Sequence, residues 1–165
     1  MTHPALPMPD GRQLLRHAVA TLAYRASKAV RNAPPGFSSF QVAPGSRTPG
    51  QILAHLGDLM DWALSQARGQ QKWTDTPPGD WNADVDRLFR SIGELDAYLA
   101  SDADVNFGAF KIFQGAIADS LTHVGQINML RRIAGAPVRG ENYSRADIVA
   151  GRVTLEQPVP RAEFD

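Results

Sequence analysis

The sequence predicts an all-α fold: an antiparallel four-helix bundle followed by a short C-terminal helix and an extended tail. Four stretches place apolar residues three and four positions apart, the spacing of one helix face. Glycine and proline cluster between these stretches, and the alternating pattern of strands is hard to find. The 165 residues fit one domain spanning residues 1–165, with a core in 10–135 and a C-terminal extension in 136–165.

The first two helices have recognisable starts. Asp10 is a predicted N-cap, and the first helix continues until a loop at residues 32–36. The second helix begins with Thr48 as N-cap and Pro49 in the first turn, where the missing N–H of proline costs nothing, and it continues to about Arg68. The inward faces are predicted to carry Leu15, Val19, Leu22, Ala26 and Ala29 in the first helix, and Ile52, Leu56, Leu59 and Ala63 in the second.

The third and fourth helices complete the predicted bundle. The third follows Asp80 and ends near Ser101, and it has the clearest amphipathic pattern in the chain. The fourth begins within residues 110–113 and continues to Ala134, where Gly135 supplies a left-handed stop. The apolar positions of the third helix are Val85, Leu88, Phe89, Ile92, Leu95 and Leu99.

The residues after the bundle are less strongly patterned. Ser144 and Asp147 resemble a capping arrangement, and Gly151 ends the turn that follows, which predicts a short helix between them. Residues 152–165 contain two prolines, so we expect an extended tail that lies on the bundle or on a partner chain.

Composition excludes several classes of function. The chain has no cysteine, so any metal must be bound by nitrogen and oxygen. Its 17 basic and 17 acidic residues balance, which argues against a nucleic-acid or anionic-membrane partner. Prolines interrupt the N-terminal segment, and no run approaches the ~20 apolar residues that cross a bilayer. We therefore expect a cytoplasmic protein.

Three side chains are candidate metal ligands. Of the four histidines, we set aside His3, in the loose N-terminal segment, and His17, on a polar side of the first helix. His55 lies at the edge of the inward face of the second helix, and Asp119 and His123 are four residues apart, so they share one face of the fourth. Two imidazoles and one carboxylate leave coordination positions open for water or substrate, and they suit zinc, nickel, iron or manganese.

A second interpretation of these residues needs no metal. Asp119 and His123 would then be a helix-face ion pair worth a few tenths of a kcal/mol, with His55 partly buried beside them. The protein would be a non-catalytic helical bundle that binds a small ligand or a partner protein.

Candidate substrate-binding residues lie near the end of the fourth helix and beyond it. Arg131 and Arg132 are explained either by a favourable interaction with the helix C-terminus or, together with Arg139, by an anion-binding patch at the mouth of the bundle. Asn142 and Tyr143 either fold back over the bundle end or only pack within a loop.

Two segments resemble DinB-like proteins. Residues 117–132, IADSLTHVGQINMLRR, followed by AGAPV at 134–138, are similar to the last bundle helix of that family. Residues 48–56, TPGQILAHL, resemble the segment that supplies its first histidine. The similarity covers roughly residues 10–135, and its most specific part is the His-x-Gly-Gln run at 123–126.

The resemblance implies a DinB/YfiT-type bundle, often a homodimer, with a divalent metal bound by three histidines. The family pattern has His-x-x-x-His in the last helix, whereas this chain has Asp119 at the first of those positions. A carboxylate there lowers the net charge of the site by one unit relative to three histidines, and this favours harder metal ions. Relatives include thiol-dependent transferases and a maleylpyruvate isomerase. The expected substrate is thus a small molecule, with a low-molecular-weight thiol such as glutathione or bacillithiol held through its carboxylates by Arg131, Arg132 or Arg139.

Overall fold

A computed structural model describes residues 10–164, and His3 therefore lies outside the described residues. These residues are mostly helical. The first three helices are α1 (Gly11–Val30), α2 (Pro49–Ala67) and α3 (Trp81–Ala100). A fourth helical segment consists of α4 (Ala109–Ile112), a π-helical turn at Phe113–Ile117 and α5 (Ala118–Ile133).

The predicted N-caps of the first two helices are confirmed, and Asp80 is the N-cap of the third. The Asp10 side chain accepts from the amide of Gln13, and Thr48 accepts from that of Gln51, each within a reciprocal capping box. Asp80 accepts from two amides at the start of α3. Pro49 occupies the first position of α2, as its missing N–H allows. Short-range hydrogen bonds therefore fix where each of these three helices begins.

The helices bury their apolar faces in one core. Helix α1 contacts α3 and α5, and α2 contacts the same two helices. Within residues 10–164, no helix is both long and apolar enough to cross a membrane. The largest fully buried apolar side chains are Leu22, Leu53, Leu56, Met60, Leu88, Ile92, Leu95, Leu99, Ile112, Ile117 and Ile127.

The fourth helical segment is interrupted, although the sequence predicts one continuous helix. It begins at Ala109 and ends at Ile133, close to the predicted ends, and Gly135 has the left-handed φ of 78° that the predicted stop requires. The π-helical turn ends at Ile117, two residues before Asp119, and such a turn inserts an extra residue that rotates the following helix relative to the preceding one. The interruption thus sets the directions of the α5 side chains.

The C-terminal extension differs from the prediction. The short helix expected between Ser144 and Gly151 does not form, and a single 3₁₀ turn at Tyr143–Arg145 takes its place. The physical reason is that Asn142 caps a turn starting one residue later, while Asp147 pairs with Arg152 instead of capping a helix. A small antiparallel sheet, which the sequence did not predict, joins β1 (Gly140–Glu141) to β2 (Glu163–Phe164).

The tail lies on α1 of its own chain. Glu141 accepts from the Tyr24 hydroxyl at 2.8 Å and from Lys28 Nζ at 2.9 Å, and its side chain is completely buried. The Ser27 hydroxyl donates to the backbone carbonyl of Leu155 at 2.7 Å. These contacts attach both the sheet and the segment between its strands to the helical core.

Candidate metal centre

The structure brings His55, Asp119 and His123 together at the contact between α2 and α5. One donor atom from each residue lies within 4.8 Å of the other two. Asp119 Oδ2 is 3.6 Å from His123 Nε2 and 3.8 Å from His55 Nε2. The two imidazole rings are 4.9 Å apart between centroids and nearly perpendicular, at 88°. The carboxylate therefore lies between two imidazole nitrogens.

These separations fit the dimensions of a metal site. Bonds of about 2.1 Å at the tetrahedral angle place neighbouring donor atoms about 3.4 Å apart. The two distances from Asp119 exceed that value by only a few tenths of an ångström, and the separation between the two imidazole donors stays within 4.8 Å. Small side-chain rotations would bring the three donors onto one ion, and the donor set of two nitrogens and one oxygen suits first-row divalent metals.

Gln126 orients the ring of His123. Its side-chain Oε1 lies 2.7 Å from His123 Nδ1, and in the tautomer that carries the proton on Nδ1 the ring donates a hydrogen bond to this oxygen. The lone pair of His123 then belongs to Nε2, the atom that faces Asp119. This type of hydrogen bond commonly fixes the tautomer of metal-ligating histidines.

His55 lies in surroundings that keep its imidazole neutral. Burial lowers the pKa of His55, and the neighbouring His123 and Arg47 lower it further, whereas Asp119 and Asp58 act in the opposite direction. The Trp73 ring packs edge-on against His55, with 5.6 Å between the centroids. A neutral imidazole has the free lone pair that a metal requires.

The site is enclosed on the imidazole side and open on the carboxylate side. The His123 side chain is 11% exposed and that of His55 is 19% exposed, while that of Asp119 is 48% exposed. A bound ion would therefore keep positions open toward solvent. This is the arrangement of catalytic rather than purely structural metal sites.

Two surface cavities border the site, one on each side of Arg47. The cavity of about 310 Å³ is lined by His55, and the cavity of about 490 Å³ is lined by His123. Arg47 precedes the N-cap of α2 and contributes to both walls. Either cavity leaves space for a small molecule beside the three donors.

Sequence reasoning assigned no role to Gln126, Arg47 or Trp73. Gln126 follows His123 by three residues on the same helix, so its position on a neighbouring part of that helix face was a usable signal. Arg47 and Trp73 lie in loops, where no helical period relates them to the histidines. His17, set aside from the sequence, is exposed on α1.

Arg131 does not belong to the site, contrary to the predicted role in substrate binding. The residue is 6% exposed, and its guanidinium donates to the carbonyls of Ala29, Arg31, Asn32 and Ala136. These carbonyls follow or end helices α1 and α5, and a buried guanidinium needs such partners. Arg131 therefore joins two helix ends and presents no charge to a ligand at the metal centre.

The other predicted substrate-binding residues also lie away from the three donors. Arg132, Arg139 and Tyr143 line a cavity of about 300 Å³. Arg132 follows His123 by nine residues, which places its side chain about 180° around the helix from that of His123. Of the residues that line this cavity, only Met129 also lines the cavity beside His123. The exposed Asn142 accepts from the amide and hydroxyl of Ser144 and serves as a turn cap. Proximity in sequence to the fourth helix was the misleading signal.

No family model, no curated protein and no solved structure matches this chain. The similarity of its helix motifs to DinB-like proteins stays a prediction from the sequence. The geometry of His55, Asp119 and His123 is thus the main support for any functional proposal.

Proposed function

We propose that this chain is a metal-dependent enzyme with a DinB-like four-helix bundle, in which His55, Asp119 and His123 bind one divalent cation. The observation that carries the proposal is the convergence of three donor atoms within 4.8 Å from two different helices. A bound divalent ion lowers the pKa of a coordinated water or thiol and so supplies a nucleophile at neutral pH. The proposed reaction class is transfer to or from a small thiol, or hydrolysis.

The helix contacts support the bundle. Each of α1, α2, α3 and α5 contacts two of the other three, which closes a ring in the order α1, α3, α2, α5. In such a bundle, metal sites form in the interior from side chains on facing helices. The donors of this site come from α2 and α5, which are neighbours in the ring.

The residues around the proposed ion have different roles. His55 offers an imidazole whose pKa is lowered by burial, His123 offers Nε2, and the Asp119 carboxylate would partly balance the charge of a divalent ion. Gln126 holds the His123 ring in one tautomer. Trp73 packs edge-on against the His55 ring, and Asp119 is the most exposed of the three donors.

Metal analysis of protein prepared without a polyhistidine tag tests the proposal. After incubation with zinc, nickel or manganese and removal of the excess, the wild type should retain about one ion per chain. His55→Gln and Asp119→Asn should each lose most of it. His17→Gln is the matched control, because His17 is an exposed histidine outside the site, and this variant should retain the ion.

The non-catalytic bundle is the second candidate, and one observation favours it. Asp119 Oδ2 is already at ion-pair distance from both imidazoles without any metal. A half-exposed carboxylate beside two imidazoles needs no metal to be accommodated, and such surface contacts contribute little to the free energy of folding. Retention of less than about a tenth of an ion per wild-type chain, under all three metals, would favour this candidate and reject the metal proposal.

A further inference from the structure

Arg47 is a cation at the mouth of the candidate metal centre. It is exposed, immediately precedes the Thr48 N-cap, and makes no hydrogen bond or ion pair with any residue in the described range 10–164. It lines both cavities that border the three donors. An arginine that no protein carboxylate neutralises is available to a ligand anion.

The larger cavity combines this cation with an apolar wall. Its volume is about 490 Å³, and Ile52, Met129 and Leu130 form the apolar part of its lining. His123 and Gln126 form the polar part, and no acidic residue lines it. The cavity therefore offers one positive charge, one apolar surface and one proposed metal ligand.

The smaller cavity differs in charge. Asp58 and Asp75 line it together with Arg47 and His55. These carboxylates oppose the entry of an anion, although Arg47 is present there too. The charge distribution thus directs a negatively charged ligand to the larger, apolar cavity.

We propose that the larger cavity binds a small organic monocarboxylate with an apolar body. The carboxylate forms a forked pair with the Arg47 guanidinium, and the apolar body lies against Met129, Leu130 and Ile52. One cation matches one negative charge, which favours a monocarboxylate over a more highly charged anion. That this carboxylate is the substrate of the enzyme rests on the proposed function. Binding of the carboxylate in the cavity does not require the metal.

A pair of matched probes tests the inference on the metal-free, full-length protein. 4-Phenylbutyrate and 4-phenylbutanol share an apolar body and differ in the charged group. Isothermal titration should show that the carboxylate binds about tenfold more tightly than the alcohol, the range of one charge-assisted pair. Arg47→Gln should abolish that difference, whereas Met129→Gln should weaken both probes.

Arg90→Gln is the control variant, because Arg90 is an exposed arginine of α3 with no partner within residues 10–164. It should leave the preference for the carboxylate unchanged. Equal affinity for the two probes, no binding of 4-phenylbutyrate, or an unchanged preference in Arg47→Gln would each overturn the inference. Arg47→Gln should also melt and take up metal as the wild type does, so failure here is separable from failure of the metal proposal.

Discussion

The hydroxyl of Thr76 donates a hydrogen bond of 2.6 Å to Oδ1 of Asp58, and the Thr76 amide donates one of 2.9 Å to Oδ2. Asp58 is 1% exposed in α2 and also accepts from Arg87 on α3. The loop between α2 and α3 is therefore tied to both helices at Thr76. Trp73 of this loop packs against His55, so the hydrogen bonds between Thr76 and Asp58 also help to position Trp73 beside the candidate metal centre.

Removing the Thr76 hydroxyl should loosen that loop. In Thr76→Val the Asp58 carboxylate loses one of its three hydrogen-bond donors while remaining buried. The expected cost is about 1–2 kcal/mol of unfolding free energy, measured by urea denaturation. Faster amide hydrogen exchange across residues 70–78 should accompany it.

Thr74→Val is the matched control, because Thr74 is an exposed threonine of the same loop with no hydrogen bond to residues 10–164. It should change neither stability nor exchange. If the two variants behave alike, Thr76 does not anchor the loop.

The Arg87 guanidinium packs directly against the backbone of Gly57, so a methyl group at position 57 should destabilise the folded protein. An ideal Cβ at Gly57 would lie 2.6 Å from both Cζ and Nη2 of Arg87, whose guanidinium is held by Asp58 and Asp61. Gly57→Ala should therefore cost about 1–3 kcal/mol, although alanine is the better helix former. Gly93→Ala in α3 meets no atom within 4 Å and should stabilise the protein slightly. Equal melting temperatures for the two variants would contradict the packing argument.

The helix starts could be predicted because local contacts determine them. The side chains of Asp10 and Thr48 bond to amides three residues ahead, so a short window of sequence contains the whole interaction. The left-handed conformation at Gly135 is similarly local. The i, i+4 spacing of Asp119 and His123 placed both side chains on one helix face, which the structure confirms.

Other features could not be predicted because they depend on distant contacts. The sheet pairs Gly140 with Phe164, and Glu141 is buried only because Tyr24 and Lys28 of α1 bind its carboxylate. The π-helical turn has no local sequence signal of the kind that marks a cap. The burial of Arg131 likewise depends on carbonyls at the end of α1, whereas the nine-residue spacing between His123 and Arg132 was a signal present in the sequence.

The buried pair of Tyr24 and Glu141 should make the attachment of the C-terminal extension sensitive to alkali. Burial and the hydrogen bond to Glu141 raise the pKa of the Tyr24 phenol above its ordinary value. A group whose pKa is higher in the folded than in the unfolded protein contributes its full stabilisation at any pH below the unfolded-state pKa, which is about 10 for tyrosine. This contribution is lost as the pH rises from there toward the folded-state pKa.

Tyr24→Phe should therefore cost about 1 kcal/mol at neutral pH, and this difference from the wild type should shrink as pH rises above about 10. Denaturant unfolding at several pH values measures it. Tyr143→Phe removes a hydroxyl with no hydrogen-bond partner among residues 10–164 and should show no such trend. A Tyr24→Phe difference that is constant with pH would show that Tyr24 does not titrate in the way proposed.

Gln126 should control metal affinity without being a ligand. Its Oε1 accepts from His123 Nδ1 at 2.7 Å, and removing that acceptor in Gln126→Met frees the ring to rotate and to change tautomer. Loss of such an orienting bond commonly weakens metal binding about 10-fold to 100-fold, and competition with a chromophoric chelator for zinc measures the change. Gln126→Glu keeps an acceptor at the same distance along the side chain and should retain affinity. If Gln126→Met binds zinc as tightly as the wild type, His123 is oriented by its packing alone and Gln126 has no role in the site.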